Sequence, residues 1–249
     1  MATNIWITGA SRGIGRAIAL GVAQMYKKEE APVNLIINSR HNDNDLNELA
    51  EELKKQQTGV LKLVGDVSDE KDREEMLRRI HEELGGLDVL INNAGISVIS
   101  LLQDMSVSEI ETLIGVNLSA PIALSALVLP DLLRSTHNPR IINISSVWGN
   151  VGASCETVYS ATKGGLNSFT RALAKELAPS HIPVNAVSCG YINTAMNSQL
   201  SKEDKAALFE EIPAGRGGEP EEAAQLVCML LRANDYLTGQ IITLDGGWT

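Results

Sequence analysis

Asn4-Ile5-Trp6-Ile7-Thr8-Gly9-Ala10-Ser11-Arg12-Gly13-Ile14-Gly15 is the stretch that decides the fold. Residues 4–8 read as a short apolar strand. Residues 14–26 then repeat apolar side chains at helical spacing, through Ile14, Ile18, Val22 and Met25. Between them lies a turn built on Gly9, Gly13 and Gly15. Glycine there permits a tight reversal and lets the backbone approach a pyrophosphate, and the helix that follows offers free N–H groups and a partial positive charge. The spacing is Gly-x-x-x-Gly-x-Gly rather than the commoner Gly-x-Gly-x-x-Gly. A glycine-rich turn without a ligand would look similar. Its place at the first strand–helix junction makes Gly9, Ser11, Arg12, Gly13, Ile14 and Gly15 candidates for holding a nucleotide.

The same alternation continues along the chain. Strands are expected at 33–38, 60–64, 87–92, 140–144, 183–187 and 240–244, and helices at 45–56, 70–84, 157–177 and 220–231. Residues 106–133 are long and mostly apolar, and read as two helical stretches with Pro121 inside. The strands are continuous apolar runs, as in Leu35-Ile36-Ile37, which marks strands buried on both faces. Parallel strands need crossover helices. The expectation is therefore one α/β domain over residues 1–249: a doubly wound parallel sheet of about seven strands, Rossmann-type, with helices on both faces. Residues 189–218, loose and polar, are expected to form a lid over the carboxyl ends of the strands.

Composition limits the function. The chain has 249 residues, 44% hydrophobic and 21% charged, the profile of a globular domain. Its 21 basic and 31 acidic residues give a net charge of −10, which argues against nucleic acid or an anionic membrane surface as the main partner. Cys155, Cys189 and Cys228 are odd in number and fit no metal-ligand spacing, as expected of reduced thiols in a cytoplasmic protein. No uninterrupted apolar run reaches about 18 residues and no basic leader opens the chain, so neither a membrane span nor a signal peptide is expected.

The end of the second strand usually discriminates between the two nicotinamide dinucleotides. An acidic residue there holds the ribose hydroxyls, and a basic one accommodates a 2′-phosphate. Here the strand ends Asn38-Ser39-Arg40, and Arg12 lies in the glycine turn. Two guanidinium groups can clamp a phosphate, which favours NADP(H) over NAD(H). Asp43 and Asp45 stand close by and could serve the ribose instead.

Tyr159 and Lys163 lie four apart on one predicted helix, hence on one face. A phenol is a poor acid at neutral pH, and a neighbouring ammonium favours its ionised form. Alone, such a pair is equally an exposed helix contact. Ser146, at the end of the fifth strand, can offer its hydroxyl to a substrate carbonyl in the same crevice. Asn117 is a polar residue inside an apolar helix, costly unless satisfied.

Together these motifs resemble the short-chain dehydrogenase/reductase family over Thr3 to Gly247. The carrying residues are 8–15, Asp66-Val67, Asn92-Asn93-Ala94-Gly95, Asn117, Ser146, Tyr159-x-x-x-Lys163 and Cys189-Gly190-Tyr191-Ile192-Asn193-Thr194. The resemblance implies that Tyr159 is the proton donor in carbonyl reduction. It implies that Lys163 lowers the pKa of Tyr159 and holds the nicotinamide ribose, that Ser146 orients the carbonyl, and that Asn117 anchors a water relaying protons through Lys163. Asp66 and Val67 would meet the adenine, Asn92 and Gly95 the adenosine and ribose, and Ile192 and Thr194 the carboxamide. Arg12 and Arg40 match positions that are basic in NADP-using members. A homo-oligomer, dimer or tetramer, is also implied, with residues 106–133 and 157–177 as candidate interface.

Within the family the chain is most similar to bacterial 3-oxoacyl-acyl-carrier-protein reductases of fatty acid biosynthesis, which implies a carrier-protein thioester as substrate. The two arginines that receive the carrier in those enzymes fall here on His137 and Ser180, with Arg134, Arg140 and Lys175 as possible substitutes. A free ketone, aldehyde, sugar or steroid is the alternative, and an NADP(H) sensor without turnover is a third reading. Cys189 stands where the family usually has proline. The pocket wall is expected from Trp148 and Tyr191, with Ile96, Ser97, Cys155, Glu156 and Met196 as further candidates.

Overall fold

The computed structural model describes residues 2–41, 44–197 and 201–249. Seven parallel strands form one sheet: β1 (Thr3–Ile7), β2 (Val33–Ser39), β3 (Gly59–Val64), β4 (Val89–Asn92), β5 (Arg140–Ser146), β6 (Val184–Cys189) and β7 (Ile241–Leu244), in the order β3-β2-β1-β4-β5-β6-β7. The strand order reverses between β1 and β4. A crevice therefore opens outside their carboxyl ends, the place where ligands bind in open α/β sheets.

The period-2 geometry of the strands explains the two covering layers. In β1, Ile5 and Ile7 face one hydrophobic cluster and Trp6 the other; in β2, Leu35 and Ile37 oppose Ile36 in the same way. The first cluster is completed by α1 (Gly13–Lys28), α2 (Asn44–Lys55) and α9 (Pro220–Arg232), through Ile18, Leu49 and Val227. The second is completed by α3 (Glu70–Leu84), α5 (Ala120–Leu132) and α7 (Thr157–Leu177), through Ile80, Val128 and Leu173. Removing one such buried Leu or Ile side chain to Ala costs about 2–5 kcal/mol.

The apolar stretch before β5 is one helical run rather than two separate helices. It comprises α4 (Val107–Ile114), a π-turn at Gly115–Ser119 and α5, with Pro121 in the first turn of α5. Val107–Leu132 is 26 residues long and contains an 18-residue window with a mean hydropathy of 1.9, enough by length and composition alone to cross a membrane, although polar residues interrupt it throughout. In this fold its α5 half lies against β4 and β5. The expected strands and the other helices appear within a few residues of their predicted bounds. A short helix, α6 (Trp148–Val151), directly after β5 has no counterpart among the sequence expectations. The polar segment 189–218 carries a helix, α8 (Lys202–Glu211).

Candidate active site

The glycine turn is shaped by close approach. Gly9 has φ +63°, and a Cβ there would lie 2.8 Å from Ala94 Cα in the loop after β4. A Cβ on Gly15 would meet Asn93 Nδ2 and the Gly9 carbonyl, both at 2.4 Å, so α1 starts flush against the turn. Thr8 accepts hydrogen bonds on Oγ1 from the N–H groups of Asn93 and Ala94, each at 3.0 Å, and Asn93 Nδ2 donates to the carbonyls of Thr8 and Gly9. Asn38, at the end of β2, holds the turn from the other side, its main-chain carbonyl accepting from Ala10 N–H at 2.8 Å. Arg12 occupies the N-cap of α1 with no side-chain cap, which leaves first-turn N–H groups for an external acceptor. These residues fit the pyrophosphate of a dinucleotide. Ser11 is buried, Ile14 half-buried and Arg12 exposed at this edge, and Thr194 reaches over from the lid, its Cγ2 3.4 Å from the Cβ position of Gly13.

Arg40 is exposed at the end of β2 and pairs through Nε with Asp66 Oδ2 at 2.9 Å. The other oxygen of Asp66 accepts from Ser68 N–H and Oγ. The Ser68 hydrogen bonds and the Arg40 charge outweigh partial burial and hold this carboxyl below its ordinary range. Val67 is buried in the second cluster. Asp45 lies in the first turn of α2, and Asp43 lies outside the described residues. Asn92 points into the core rather than the crevice. Its Nδ2 donates to Asn143 Oδ1 at 2.9 Å, and its own Oδ1 is buried without a hydrogen-bond partner among the described residues.

Tyr159, Lys163 and Ser146 converge at the carboxyl end of β5. Tyr159 is half-buried, with the Ser146 hydroxyl beside its phenol. Burial pushes its pKa above the ordinary phenol value, the Ser146 hydroxyl opposes that, and Glu156 and Cys189 add to it. Lys163 is buried, with Nζ 5.7 Å from the Tyr159 ring centre and donating to the Ile144 carbonyl at 2.9 Å. Burial lowers its pKa to about 8. The ammonium thus sits behind the phenol, and burial rather than Lys163 dominates the Tyr159 titration. Cys189 is buried beside Lys163 with its thiol pushed up to about 12, a neutral packing group.

Asn117 is fully buried in the π-turn. Its Oδ1 accepts from Ile96 N–H at 2.9 Å and its Nδ2 donates to the Ile96 carbonyl at 2.8 Å. This clamp fixes the loop after β4. A Cβ on Gly95 would fall 3.4 Å from Asn117 Oδ1 and 3.7 Å from Lys163 Nζ, so Gly95 separates the two.

A polar frame behind the site was not foreseen. Ser145, not Ser146, binds α7, donating to Asn167 Oδ1 at 2.6 Å; Asn167 donates to Asn150, and Asn150 to Ser188. Asn143 donates to Thr170 Oγ1 at 2.9 Å. Lys163, Asn167 and Thr170 fall at i, i+4 and i+7 on the buried face of α7, a polar stripe that the helical period makes visible.

The lid is closed at its base. Gly218 N–H donates to the Tyr191 carbonyl and Asn193 N–H to the Gly218 carbonyl, so 191–193 and 217–219 are zipped together. Ile192 is buried in the first cluster, and the Tyr191 ring packs against Gly217 and edge-on to Phe209 of α8, with centroids 5.6 Å apart. Trp148 donates its main-chain N–H to Ser146 Oγ at 3.2 Å, Ser97 binds Glu156, and Cys155 is half-buried in the turn before α7. Met196 is exposed.

Among the candidate carrier-binding residues, Arg140 is 2% exposed and caps α9, donating to the carbonyls of Ala233 (3.1 Å) and Leu230. It has no surface to offer a partner. His137 stands 3.7 Å from Asp88, and Arg134 pairs with Asp131.

The family model of short chain dehydrogenases matches residues 3–205. The 3-oxoacyl-[acyl-carrier-protein] reductase FabG of Escherichia coli is 36% identical, over 97% of this chain and 95% of that protein. An uncharacterized oxidoreductase of Bacillus subtilis is 36% identical over 97% of both chains. A short-chain type dehydrogenase/reductase from Mycobacterium marinum superposes with a TM-score of 0.89 at 32% identity, over 99% of this chain and 95% of that one. With its sheet order, glycine turn and Ser–Tyr–Lys cluster, this chain belongs to the short chain dehydrogenase family of oxidoreductases.

Proposed function

We propose that the protein reduces the ketone of a 3-oxoacyl thioester to an alcohol with NADPH. The observation that carries the reading is the convergence of Ser146, Tyr159 and buried Lys163 at the carboxyl end of β5, with Lys163 Nζ 5.7 Å from the Tyr159 ring, at the crevice beside the glycine turn. NADPH supplies the hydride. Ser146 donates to the carbonyl oxygen and polarises it, and Tyr159 gives the phenolic proton to the developing alkoxide. Lys163 would hold the ribose hydroxyls and pass a proton back to the Tyr159 phenolate, its own proton being replaced from solvent, and Asn117 positions the loop at Gly95–Ile96. Arg12 and Arg40 receive the 2′-phosphate, Arg40 exchanging Asp66 for it. Asp66 and Val67 flank the adenine, Gly95 the ribose, and Ile192 and Thr194 the carboxamide under the lid.

Support for the thioester comes from the FabG relatives. A second reading, a free ketone, is favoured by the sealed position of Arg140 and the net charge of −10, both poor for an acidic carrier. NADPH oxidation followed with acetoacetyl-CoA, acetoacetyl carrier protein and a free 3-oxo ester separates the two. Turnover of either thioester above the ester supports the first reading, ester alone supports the second, and turnover of none overturns both.

A further inference from the structure

The last residues form a built element. Asp245 accepts from Gly247 N–H at 2.9 Å and from Thr249 N–H at 2.8 Å, and Gly246 and Gly247 take φ +68° and +87°. The turn is seated on the segment that ends α8. A Cβ on Gly246 would lie 2.9 Å from Ile212 and Ala214, and one on Gly247 3.5 Å from Pro213. This turn carries Trp248 onto Trp148, edge to face, with ring centroids 4.7 Å apart and planes at 63°. The main-chain N–H of Trp148 in turn donates to Ser146 Oγ, which places Trp148 directly beside that hydroxyl. Both indoles are partly exposed, and neither belongs to the two core clusters. They therefore stand at the carboxyl edge of the sheet between Ser146 and the end of the lid helix.

We propose that Trp148 and Trp248 form an aromatic wall of the substrate crevice that selects carbonyl compounds carrying an apolar group, an aryl ring above all, directly on the carbonyl carbon. The inference rests on the assignment of Ser146 as the group that holds the carbonyl. An edge-to-face pair is a preorganised apolar surface and gains from a third ring, whereas a hydrated or charged substituent would lose water there without a partner.

The matched substrates ethyl benzoylacetate and ethyl acetoacetate differ by phenyl for methyl at the ketone carbon. The ratio of their kcat/KM values with NADPH is compared among wild type, Trp248→Phe, Trp248→Leu and Trp248→Ala. The ratio should fall about 3- to 10-fold in the Leu and Ala variants and stay near wild type in Phe. Should Ala fail to fold, the Leu–Phe comparison carries the test. Calorimetric binding of ethyl benzoylacetate to the NADP⁺-loaded protein gives a readout that needs no turnover, and its Kd should rise by the same factor in Leu. A Kd for ethyl benzoylacetate that rises in Leu but not in Phe supports the wall even if neither ester is turned over, and the reaction itself is judged separately on the thioesters. A ratio and a Kd indifferent to the ring at 248, or no binding by wild type, overturns the wall.

Discussion

Lys163 places its ammonium 2.9 Å from the Ile144 carbonyl, two residues before Ser146, in a pocket with no carboxylate partner among the described residues. Burial lowers its pKa from 10.5 to about 8, a displacement worth about 3 kcal/mol. Between those values the folded chain binds fewer protons at this group than the unfolded chain, so the group's contribution to stability rises with pH. Relative to Lys163→Met, the wild-type unfolding free energy should therefore increase by up to about 3 kcal/mol from pH 7 to 10.5. Urea titrations at several pH values measure the difference. A flat difference would contradict the burial of a charged amine.

Tyr159→Phe keeps the ring and removes the proton. Turnover should fall about 100- to 10,000-fold, the usual contribution of a positioned acid, while NADPH affinity changes little. Stopped-flow hydride transfer and fluorescence titration of NADPH separate the two effects. Retained turnover would remove Tyr159 from the chemistry.

How much of this was legible in the sequence follows from which interactions are local. The strands were readable because parallel strands are buried on both faces and run apolar without interruption, as at 35–37. Tyr159 and Lys163 were readable because four residues bring two side chains to one helix face. Asn117 was visible as a polar residue in an apolar helix. The π-turn that carries it was not, because it accompanies a clamp on Ile96, 21 positions away. Arg140 read as a surface cation, since its sequence does not show that the end of α9 closes over it. The Trp148–Trp248 contact spans a hundred residues and leaves no periodic trace.

Arg40 is tied to Asp66 by an ion pair whose guanidinium is mostly open to solvent, so the pair contributes little to stability. Arg40→Ala should leave Tm nearly unchanged. It should lower kcat/KM for NADPH by about 10- to 100-fold, the loss of one or two charge-assisted hydrogen bonds, and spare NADH. Kinetics with both cofactors measure the ratio, and an equal loss on the two would remove Arg40 from phosphate recognition.

Gly9→Ala meets two obstacles at once: a φ of +63° and a Cβ 2.8 Å from Ala94 Cα, a backbone atom that cannot swing away. The substitution should cost more than about 1 kcal/mol of stability and widen the gap between the glycine turn and the loop after β4. NADPH affinity should fall more than stability alone explains, because the turn that receives the pyrophosphate is displaced. Chemical denaturation and NADPH titration of the folded fraction test the two statements separately.

Glu156 precedes Tyr159 by three residues, at the N-cap of α7, and accepts the Ser97 hydroxyl at 2.6 Å. Of the groups around the phenol, Ser146 stabilises the ionised form. Cys189 is a neutral thiol in the working range, and Lys163 is turned to Ile144. Burial is the main cause that keeps Tyr159 protonated, and the Glu156 carboxylate adds to it. Reduction needs the protonated phenol, so a raised pKa extends activity toward alkaline pH. Glu156→Gln retains an acceptor for Ser97 and removes the charge. Its alkaline fall in kcat/KM should move to lower pH, and oxidation of the alcohol, which needs the phenolate, should gain at neutral pH. Profiles measured in both directions against wild type give the shift. An alkaline limb unmoved by the substitution would mean that Glu156 supports the loop through Ser97 without tuning the proton donor.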